Sequence, residues 1–333
     1  MESLPRITVL LPVYNGEKYI RTAIKSILSQ TFSNYELYIV DDGSTDFTKN
    51  IIDEFADARI RYERIEHSGL PATLNYGLQH ASCDIVARMD ADDISLPRRL
   101  EKQLKVFVTM PENTVMSCRY VLFDKDGIRG VVNGPIEHAE IVKRLVLHNE
   151  LTHSGIMYNR KFILGEGGYS IVPFEDFALW LKLRLKANFI IVPNILSCAR
   201  VDYTSLARKH ISIQNRLVYN LLEPIYANEN FPEEFDLNTK EEADIMRGWR
   251  EYFYGDASLA REHWRKHFKR VIKTGGLLLA YMATYIPGKA FIRFKESRLR
   301  FRSEYYFRYS HELSTVESSL CTIRMGEGSY DER

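Results

Sequence analysis

The chain has 333 residues, of which 45% are hydrophobic and 27% charged, a composition that fits one large α/β domain with an extension. Nucleic-acid-binding proteins have a strongly basic face, whereas the formal net charge of this chain is only +1, so we expect no nucleic-acid partner. The four cysteines form no C-x-x-C pair, which favours a reduced cytoplasmic compartment over a disulfide framework. The N-terminus has no signal-peptide pattern, and no run reaches the roughly 20 apolar residues of a transmembrane helix.

The first part of the chain, to about residue 110, alternates between strand and helix patterns. Apolar, β-branched runs predict strands over 7–13, 35–40, 60–65 and 84–88. Helical spacing predicts helices over 17–29, 46–55 and 70–80. Ser95 resembles an N-cap ahead of Pro97, which predicts a further helix to about residue 108. This alternation predicts an α/β fold with a mostly parallel sheet covered by helices on both faces.

The remaining patterns are less regular. They predict strand-like structure over 115–132, a helix over 136–147, a turn over 166–169, a helix over 177–187, and strands over 189–192 and 195–199. Beyond residue 205 the chain has helical character to about residue 302. We therefore predict an α/β domain over 1–204, a helical extension over 205–302, and a tail over 303–333 that is disordered in part.

The most informative motif is RMDADD, residues 88–93, which directly follows the strand predicted at 84–88. Its carboxylates, Asp90, Asp92 and Asp93, repel one another and resist burial unless a cation lies among them. Mg²⁺ and Mn²⁺ prefer oxygen ligands and commonly bind through carboxylates plus substrate phosphates. The motif indicates a metal-bound, phosphate-bearing substrate, although a solvated acidic turn is the alternative.

Polar residues follow three of the predicted strands: 12–16, 41–46 and the acidic motif. Ligands of parallel sheets bind at the carboxyl ends of the strands, so we expect these groups to meet at one edge. A metal held by Asp92, with Asp90 alongside, would bridge a diphosphate and offset the charge that grows as it leaves. This chemistry predicts an activated donor such as a nucleotide sugar.

A hydroxyl acceptor would need a general base, typically a carboxylate outside the metal cluster. Glu175 and Asp176 form the best pair, because they precede a predicted helix whose N-terminus stabilises carboxylates as anions. Ordinary N-terminal helix charge is the alternative interpretation.

Several motifs occur in order: LPVYN (11–15), VDDGSTD (40–46), LNYGLQHA (74–81), ARMDADD (87–93), HSGIMYNR (153–160), GGYS (167–170) and FEDFALWLKL (174–183). Together they resemble inverting glycosyltransferases of family 2, of the bacterial and archaeal cell-surface polysaccharide type. The resemblance implies a GT-A fold and a divalent cation, Mn²⁺ or Mg²⁺. It also implies transfer from a nucleotide-diphosphate sugar, commonly a UDP-sugar, to a glycan or lipid-linked acceptor.

The resemblance further implies roles for single residues. Asp176 would be the general base, and His153 and Glu175 would lie on the acceptor side. Asp92, with Asp90, would bind the metal. The implied donor-binding residues are Pro12, Tyr14, Asn15, Asp41 (at the base), Arg88, Asp90 and Arg200.

One departure from the family lies near residue 200. Relatives often have Tyr-Arg-x-His, whereas this chain has Ala199-Arg200-Val201-Asp202. Arg200 is retained and is able to bind the departing diphosphate through two parallel hydrogen bonds. Asp202 in place of histidine puts a second metal or phosphate contact from this loop in doubt.

Two other functional classes compete with a transferase. An aspartate-dependent phosphohydrolase would use a similar D-x-D pair, but would carry it after the first strand rather than the fourth. A non-catalytic nucleotide-sugar-binding scaffold is disfavoured because the metal and base positions are both present. No G-x-G-x-x-G follows the first strand, which opposes a nicotinamide dehydrogenase.

The segment 275–286, GGLLLAYMATYI, is apolar and lies between the basic stretches 261–273 and 289–302. It is too short to span a bilayer, and its cationic flanks suit contact in the plane of an anionic membrane. A peripheral position on the inner face of the cell membrane is one interpretation. A core helix with solvated basic neighbours is the other.

Overall fold

The computed structural model describes residues 6–147, 149–172, 174–201, 211–227, 240–273 and 275–285. The chain divides into two compact units. Described residues of the first lie within 6–141 and 150–201, and those of the second within 142–149 and 211–285. The predicted boundary at 204, Asp202 and the predicted tail over 303–333 fall outside the described residues.

A nine-stranded sheet forms the first unit. Strands β1 to β9 are Ile7–Val13, Tyr35–Asp41, Ile60–Arg64, Ile85–Arg88, Ile94–Ser95, Thr114–Asp124, Gly127–Val132, Met157–Asn159 and Asn188–Arg200. Their order is β3-β2-β1-β4-β8-β6-β9-β5, with β7 paired to β6. Strands β1 to β4 are parallel as predicted, whereas β8 joins β4 and β6 in antiparallel pairs.

Helices cover both faces of the parallel strands. In chain order, helices α1 to α7 are Ile20–Leu28, Thr48–Asp53, Leu70–His80, Arg99–Phe107, His138–Leu145, Arg160–Gly165 and Glu175–Leu183; residues 142–145 of α5 belong to the second unit. Val9 and Leu11 of β1 are fully buried in one core cluster with residues of α1 and α4. Leu10 points the other way, toward α3, where a Cβ on Gly77 would lie 2.4 Å from its Cδ1. The nearly continuous apolar run of β1 is therefore buried on both faces of the sheet, between two layers of helices.

The prediction of an N-cap at Ser95 was wrong. Ser95 lies in β5 and pairs with Ser197 of β9, and α4 begins only at Arg99. The Ser95 hydroxyl accepts a hydrogen bond from Gln30 Nε2 at 3.2 Å instead of capping a helix. The buried Gln30 also accepts from the amide of Leu100 at 3.0 Å, so a distant side chain organises the start of α4.

The strands predicted over 189–192 and 195–199 form the single strand β9. The ladder between β6 and β9 shifts register twice, between Cys118 and Arg119 and again between Arg119 and Tyr120. The first shift takes up Pro193 and Asn194, and the second takes up one more residue of β9. Pro193 interrupts the apolar pattern, and a bulge lets the strand accommodate a residue without an amide hydrogen.

Helices make up the described part of the second unit. Helices α8 to α12 are Ile211–Tyr226, Lys240–Tyr254, Ala257–Arg265, Phe268–Lys273 and Gly275–Ala283. Trp264 is fully buried at their centre and donates from Nε1 to the carbonyl of Ile245 at 3.1 Å. A Cβ on Gly248 would lie only 2.1 Å from Trp264 Nε1, so α9 needs glycine there. Among the described residues, no helix is long and apolar enough to cross a membrane.

Candidate active site

The loops after β1 and β2 are tied together by hydrogen bonds at the carboxyl edge of the sheet. The amide of Asn15 donates to Ser44 Oγ at 2.9 Å, and Asn15 Oδ1 accepts from the amide of Thr45 at 2.8 Å. Asn15 has a φ of 50°, a left-handed conformation that asparagine tolerates better than most residues. Pro12 is buried within β1 opposite Val40. The two polar loops predicted to meet therefore do so.

Asp41 and Asp42 have different surroundings. Asp41 is fully buried, its Oδ1 accepts from the amide of Ser44, and its Oδ2 accepts from the Tyr62 hydroxyl, both at 2.7 Å. Each carboxylate oxygen of Asp41 therefore already accepts one hydrogen bond from within the fold. Asp42 accepts from the amides of Ser68 at 2.8 Å and Gly69 at 2.9 Å, which fixes the start of α3.

An aromatic pair lies beside these carboxylates. The rings of Tyr14 and His67 stack with centroids 4.2 Å apart, and Tyr14 is 48% exposed. His67 Nδ1 lies 2.9 Å from Asp42 Oδ2. The LPVYN motif predicted Tyr14 as a site residue, but no periodicity pointed to His67 or Asp42.

The acidic motif follows β4 and is fixed by an ion pair and hydrogen bonds from buried side chains. Asp90 Oδ2 forms an ion pair with the fully buried Arg88 and accepts from Ser154 Oγ at 2.6 Å. The amide of Asp90 in turn donates to Ser154 Oγ at 3.0 Å. Arg99, also fully buried, donates from Nη2 to the Arg88 carbonyl at 2.7 Å. Ser154 and Arg99 were not predicted as site residues; the contact of Ser154 with Asp90 crosses 64 positions, and Arg99 lies within a helical pattern that does not show its contact with Arg88.

The three carboxylates of this motif differ in their electrostatics. Burial raises the pKa of Asp90, but the charge of Arg88 and the hydrogen bonds from Arg88 and Ser154 more than offset it, so the net shift is downward. Burial and the neighbouring charge of Asp90 raise the pKa of Asp92 to about 6. Asp93 is buried, its pKa is raised by burial and by Asp92, and its Oδ1 accepts from the Arg200 amide at 2.6 Å. Asp93 thus joins the motif to β9, while Asp90 and Asp92 remain partly accessible.

Arg200 is stacked between two aromatic rings. Its guanidinium carbon lies 4.0 Å from the ring centre of Tyr19 and 4.6 Å from that of Phe123. Its Nε donates to the carbonyl of Asp92 at 2.9 Å. A bidentate contact to a diphosphate would therefore use the two terminal nitrogens of Arg200.

Glu175 and Asp176 form the first turn of α7, as predicted. Phe174, which precedes them, has a φ of 61° and directs the chain sharply into the helix. Burial and the adjacent Glu175 raise the pKa of Asp176 to about 6. Burial also raises the pKa of Glu175, while Arg88 acts in the opposite direction. Asp90 contributes to both shifts, so the carboxylate pair and the acidic motif belong to one electrostatic site.

His153 lies between the two carboxylate groups. Its Nδ1 is 3.7 Å from Glu175 Oε1, and its Nε2 is 3.0 Å from the Tyr169 hydroxyl. Burial and the nearby Arg88 lower its pKa well below the usual value, so the imidazole is neutral at pH 7. Ser154, the next residue, holds Asp90.

The oxygen donors fit a divalent cation that completes its shell with substrate. No three His, Cys, Asp or Glu side chains form a self-sufficient metal site within the described parts of the chain. Asp90 and Asp92 offer carboxylate oxygens whose mutual repulsion a cation would relieve. Mg²⁺ and Mn²⁺ commonly use one or two carboxylates and take the remaining oxygens from phosphate and water.

Comparisons with known proteins agree with this architecture. A solved structure, the mannosyltransferase PcManGT from Pyrobaculum calidifontis in complex with GDP-Man and Mn²⁺, superposes with a TM-score of 0.57 at 16% identity. The superposition covers 98% of this chain and 89% of that one. At this identity the likeness supports the fold alone, which is the GT-A fold that the motifs implied.

Sequence relatives match a little more than half of the chain. The glycosyltransferase WfgD of Escherichia coli, named as a UDP-Glc:α-D-GlcNAc-diphosphoundecaprenol β-1,3-glucosyltransferase, is 30% identical over 211 residues. That match covers 60% of this chain and 79% of WfgD. EpsE of Bacillus subtilis, also named as a glycosyltransferase, is 40% identical over 191 residues, covering 55% of this chain and 68% of EpsE. A sequence profile described as glycosyl transferase family 2 matches residues 8–166, and with these relatives it establishes that the chain belongs to glycosyltransferase family 2.

Proposed function

We propose that this glycosyltransferase moves a sugar from a UDP-sugar to a hydroxyl group, with inversion at the anomeric carbon and with the help of a divalent cation. The observation that carries the proposal is that the neighbouring residues His153 and Ser154 link the two acidic groups: His153 Nδ1 lies 3.7 Å from Glu175 Oε1, and Ser154 Oγ donates to Asp90 Oδ2 at 2.6 Å. One group would bind the metal and diphosphate, and the other would accept a proton. Family membership and this pairing of roles disfavour both the phosphohydrolase and the non-catalytic scaffold.

The donor would bind at the edge formed by the loops after β1, β2 and β4. Tyr14 presents an exposed ring on which a base is able to stack, and Asn15 and Asp41 shape the loops around it. Arg88 and Arg200 supply positive charge on either side of the acidic motif. The name of WfgD includes UDP-Glc, which supports uridine as the first nucleotide to test.

Asp92 and Asp90 would hold Mn²⁺ or Mg²⁺ against the donor diphosphate. When bound, the cation supplies positive charge that stabilises the departing diphosphate. Asp90 is held for this role by Ser154 and Arg88, which engage its Oδ2. Fixing one carboxylate oxygen in this way orients the other for a ligand.

Asp176 would act as the general base. Because its pKa is near 6, it is ionised at pH 7 yet basic enough to accept a proton as the acceptor oxygen attacks. The new bond forms between that oxygen and the anomeric carbon. The bond to the diphosphate breaks on the opposite face and its electron pair goes to phosphate oxygen, which inverts the configuration.

The acceptor would be a glycan or a lipid-linked saccharide. The name of WfgD includes a GlcNAc-diphosphoundecaprenol, which supports a lipid-linked acceptor. His153 and Glu175 lie beside Asp176 and would border the acceptor. A lipid-linked acceptor would place the reaction in the cytoplasm at the inner face of the cell membrane, the location that the sequence suggested.

The donor site is tested by calorimetric titration of UDP with and without Mn²⁺. We expect wild-type binding that strengthens with Mn²⁺, and loss of this metal dependence in Asp92→Asn. Asp53→Asn, an exposed carboxylate of α2, is the matched control and should bind as wild type. Binding of GDP or dTDP in place of UDP would mean that the donor sugar carries that nucleotide instead. If none of these nucleotides bound, the proposed donor site would be refuted.

Membrane association is the second part of the proposal. In α12, Leu277 and Ala280 are buried in the core of the second unit, whereas Leu279 and Met282 are 51% and 59% exposed. Phe268 of α11 is also exposed. The core-helix interpretation accounts for the buried face only. Exposed apolar side chains near the basic stretch 261–273 suit the surface of an anionic bilayer.

Sedimentation with vesicles tests this second part. We expect the full chain to pellet with phosphatidylglycerol-containing vesicles and less with pure phosphatidylcholine. A Leu279→Glu, Met282→Glu double variant should pellet less, and Val108→Glu, an exposed apolar site in the first unit, should match wild type. Equal pelleting of the double variant and wild type would contradict the proposal.

A further inference from the structure

The side chain of Asn75 clamps the backbone of a distant residue. From α3, Asn75 Oδ1 accepts from the amide of Tyr169, and Nδ2 donates to the Tyr169 carbonyl, both at 2.8 Å. Asn75 and Tyr169 are 94 positions apart in the sequence. A side-chain amide that bonds both polar groups of one residue fixes its position and rotation, as a neighbouring strand would.

The loop before Tyr169 is shaped to admit this amide. Gly167 and Gly168 have φ values of 91° and 67°, which glycine adopts without strain. A Cβ on Gly168 would lie 2.4 Å from Asn75 Oδ1. The GGYS motif therefore allows the close approach of Asn75 and delivers Tyr169 to a defined place.

Tyr169 projects from this clamp into the active site. Its side chain is buried, and its hydroxyl lies 3.0 Å from His153 Nε2 and 3.1 Å from the Tyr158 hydroxyl. The neutral imidazole of His153 carries one proton, and the nitrogen that faces the Glu175 carboxylate is Nδ1. The proton is favoured on Nδ1 by that negative charge, which leaves Nε2 to accept from Tyr169. With the Tyr169 proton directed to His153, the Tyr158 hydroxyl would donate to the Tyr169 oxygen at 3.1 Å.

We propose that Asn75 is a positioning residue for the reaction: through Tyr169, it holds His153 as the Nδ1–H tautomer with its ring turned toward Glu175. The consequence is an oriented Glu175–Asp176 pair beside the acceptor. Asn75 itself touches neither the acidic motif nor the carboxylate pair in any hydrogen bond of the described residues. The kinetic part of this inference rests on the proposed function, whereas the tautomer does not.

The first test is ¹⁵N NMR of histidine-labelled full-length protein without substrate, with His153→Gln used to assign the signal. In wild type, we expect the protonated-nitrogen shift at Nδ1 and the unprotonated shift at Nε2. Asn75→Ala should average or exchange these shifts. Gln79→Ala, an exposed residue one turn along the same helix, should leave them unchanged.

Tyr169→Phe keeps the backbone clamp but removes the hydroxyl, so it should also change the His153 signal. It serves as the second variant if Asn75→Ala does not fold. Unchanged His153 shifts in a folded variant of either kind would overturn the proposal. This result would leave the proposed function intact, because no sugar transfer is measured.

The second test is steady-state kinetics with a donor and acceptor pair found active with wild type. A displaced catalytic group commonly costs up to about 10²-fold, so we expect Asn75→Ala to lower kcat by roughly 10- to 100-fold. The KM for the donor and the affinity for UDP with Mn²⁺ should stay at wild-type values. The Asn75→Ala, Tyr169→Phe double variant should lose little more than the worse single variant, because both act through one contact. Additive losses, or a loss of UDP binding in Asn75→Ala, would show a general structural role instead.

Discussion

Replacing Asp176 by asparagine should inactivate the enzyme and stabilise its fold. Burial and Glu175 raise the pKa of Asp176 from 3.8 to about 6. Each pKa unit corresponds to about 1.36 kcal/mol, so keeping this carboxylate ionised costs the folded protein up to about 3 kcal/mol at pH 7. The side chain retains partial solvent access, and we therefore expect a gain of about 1–3 kcal/mol in the free energy of unfolding.

The pH dependence fixes the sign of this effect. A carboxyl group whose pKa is raised on folding favours the folded state below its unfolded pKa, and this contribution is lost as pH rises through about 6. The Tm difference between Asp176→Asn and wild type should therefore be several degrees at pH 7.5 and shrink toward pH 4.5. Sugar transfer by the variant should fall by roughly 10²- to 10⁴-fold.

Thermal unfolding followed by circular dichroism, in buffer with a chelator, measures this difference. Glu101→Gln is the control with the opposite sign, because Arg98 and Thr31 lower the pKa of Glu101 to about 2. That variant should be no more stable than wild type at pH 7.5 and fully active. A Tm of Asp176→Asn that equals wild type at pH 7.5, or a difference that does not change with pH, would refute the reasoning.

Three further variants test other parts of the structure. Ser154→Ala removes the hydroxyl that holds Asp90, and should weaken Mn²⁺-dependent UDP binding about 10-fold in calorimetry while leaving the Tm nearly unchanged. Gly77→Ala forces a methyl group against Leu10 and should lower the free energy of unfolding, measured with urea, by about 1–3 kcal/mol. An unchanged free energy of unfolding would mean that α3 shifts away from β1 at little cost. Trp264→Ala leaves a cavity in the core of the second unit and should lower its free energy of unfolding by about 3–5 kcal/mol. Proteolysis of the second unit should then be faster, and an unchanged digestion pattern would contradict this prediction.

Local sequence patterns predicted the parallel half of the sheet well. Strand β1 and helix α3 have the predicted bounds, because β1 is a clear apolar run that ends at Tyr14 and α3 has helical spacing that ends at Ala81. The edge where Asn15, Asp41 and the acidic motif follow their strands was also predictable, since parallel strands place their carboxyl ends together.

Contacts between distant segments were not predictable. Strand β8 has only three residues, and its place between β4 and β6 depends on pairing with both neighbours. Asn75 lies within a helical pattern in which its side chain gives no sign of Tyr169. Ser95 has the chemistry of a helix cap, but Gln30 engages its hydroxyl instead. In each case the local structure depends on a contact with a residue distant in the sequence, and local periodicity does not indicate such contacts.

In the bulged stretch of β9, the number of residues is as important for the position of Arg200 as the identity of those residues. Arg200 follows this stretch and lies opposite Phe123, so its side chain faces the acidic motif only because the preceding register shifts add a fixed number of residues. Side chains alternate between the faces of a strand, and loss of a single residue between Val192 and Ser197 would turn Arg200 to the opposite face. Substitutions at Pro193 or Asn194 should therefore be tolerated in evolution far more readily than single-residue deletions at the same positions.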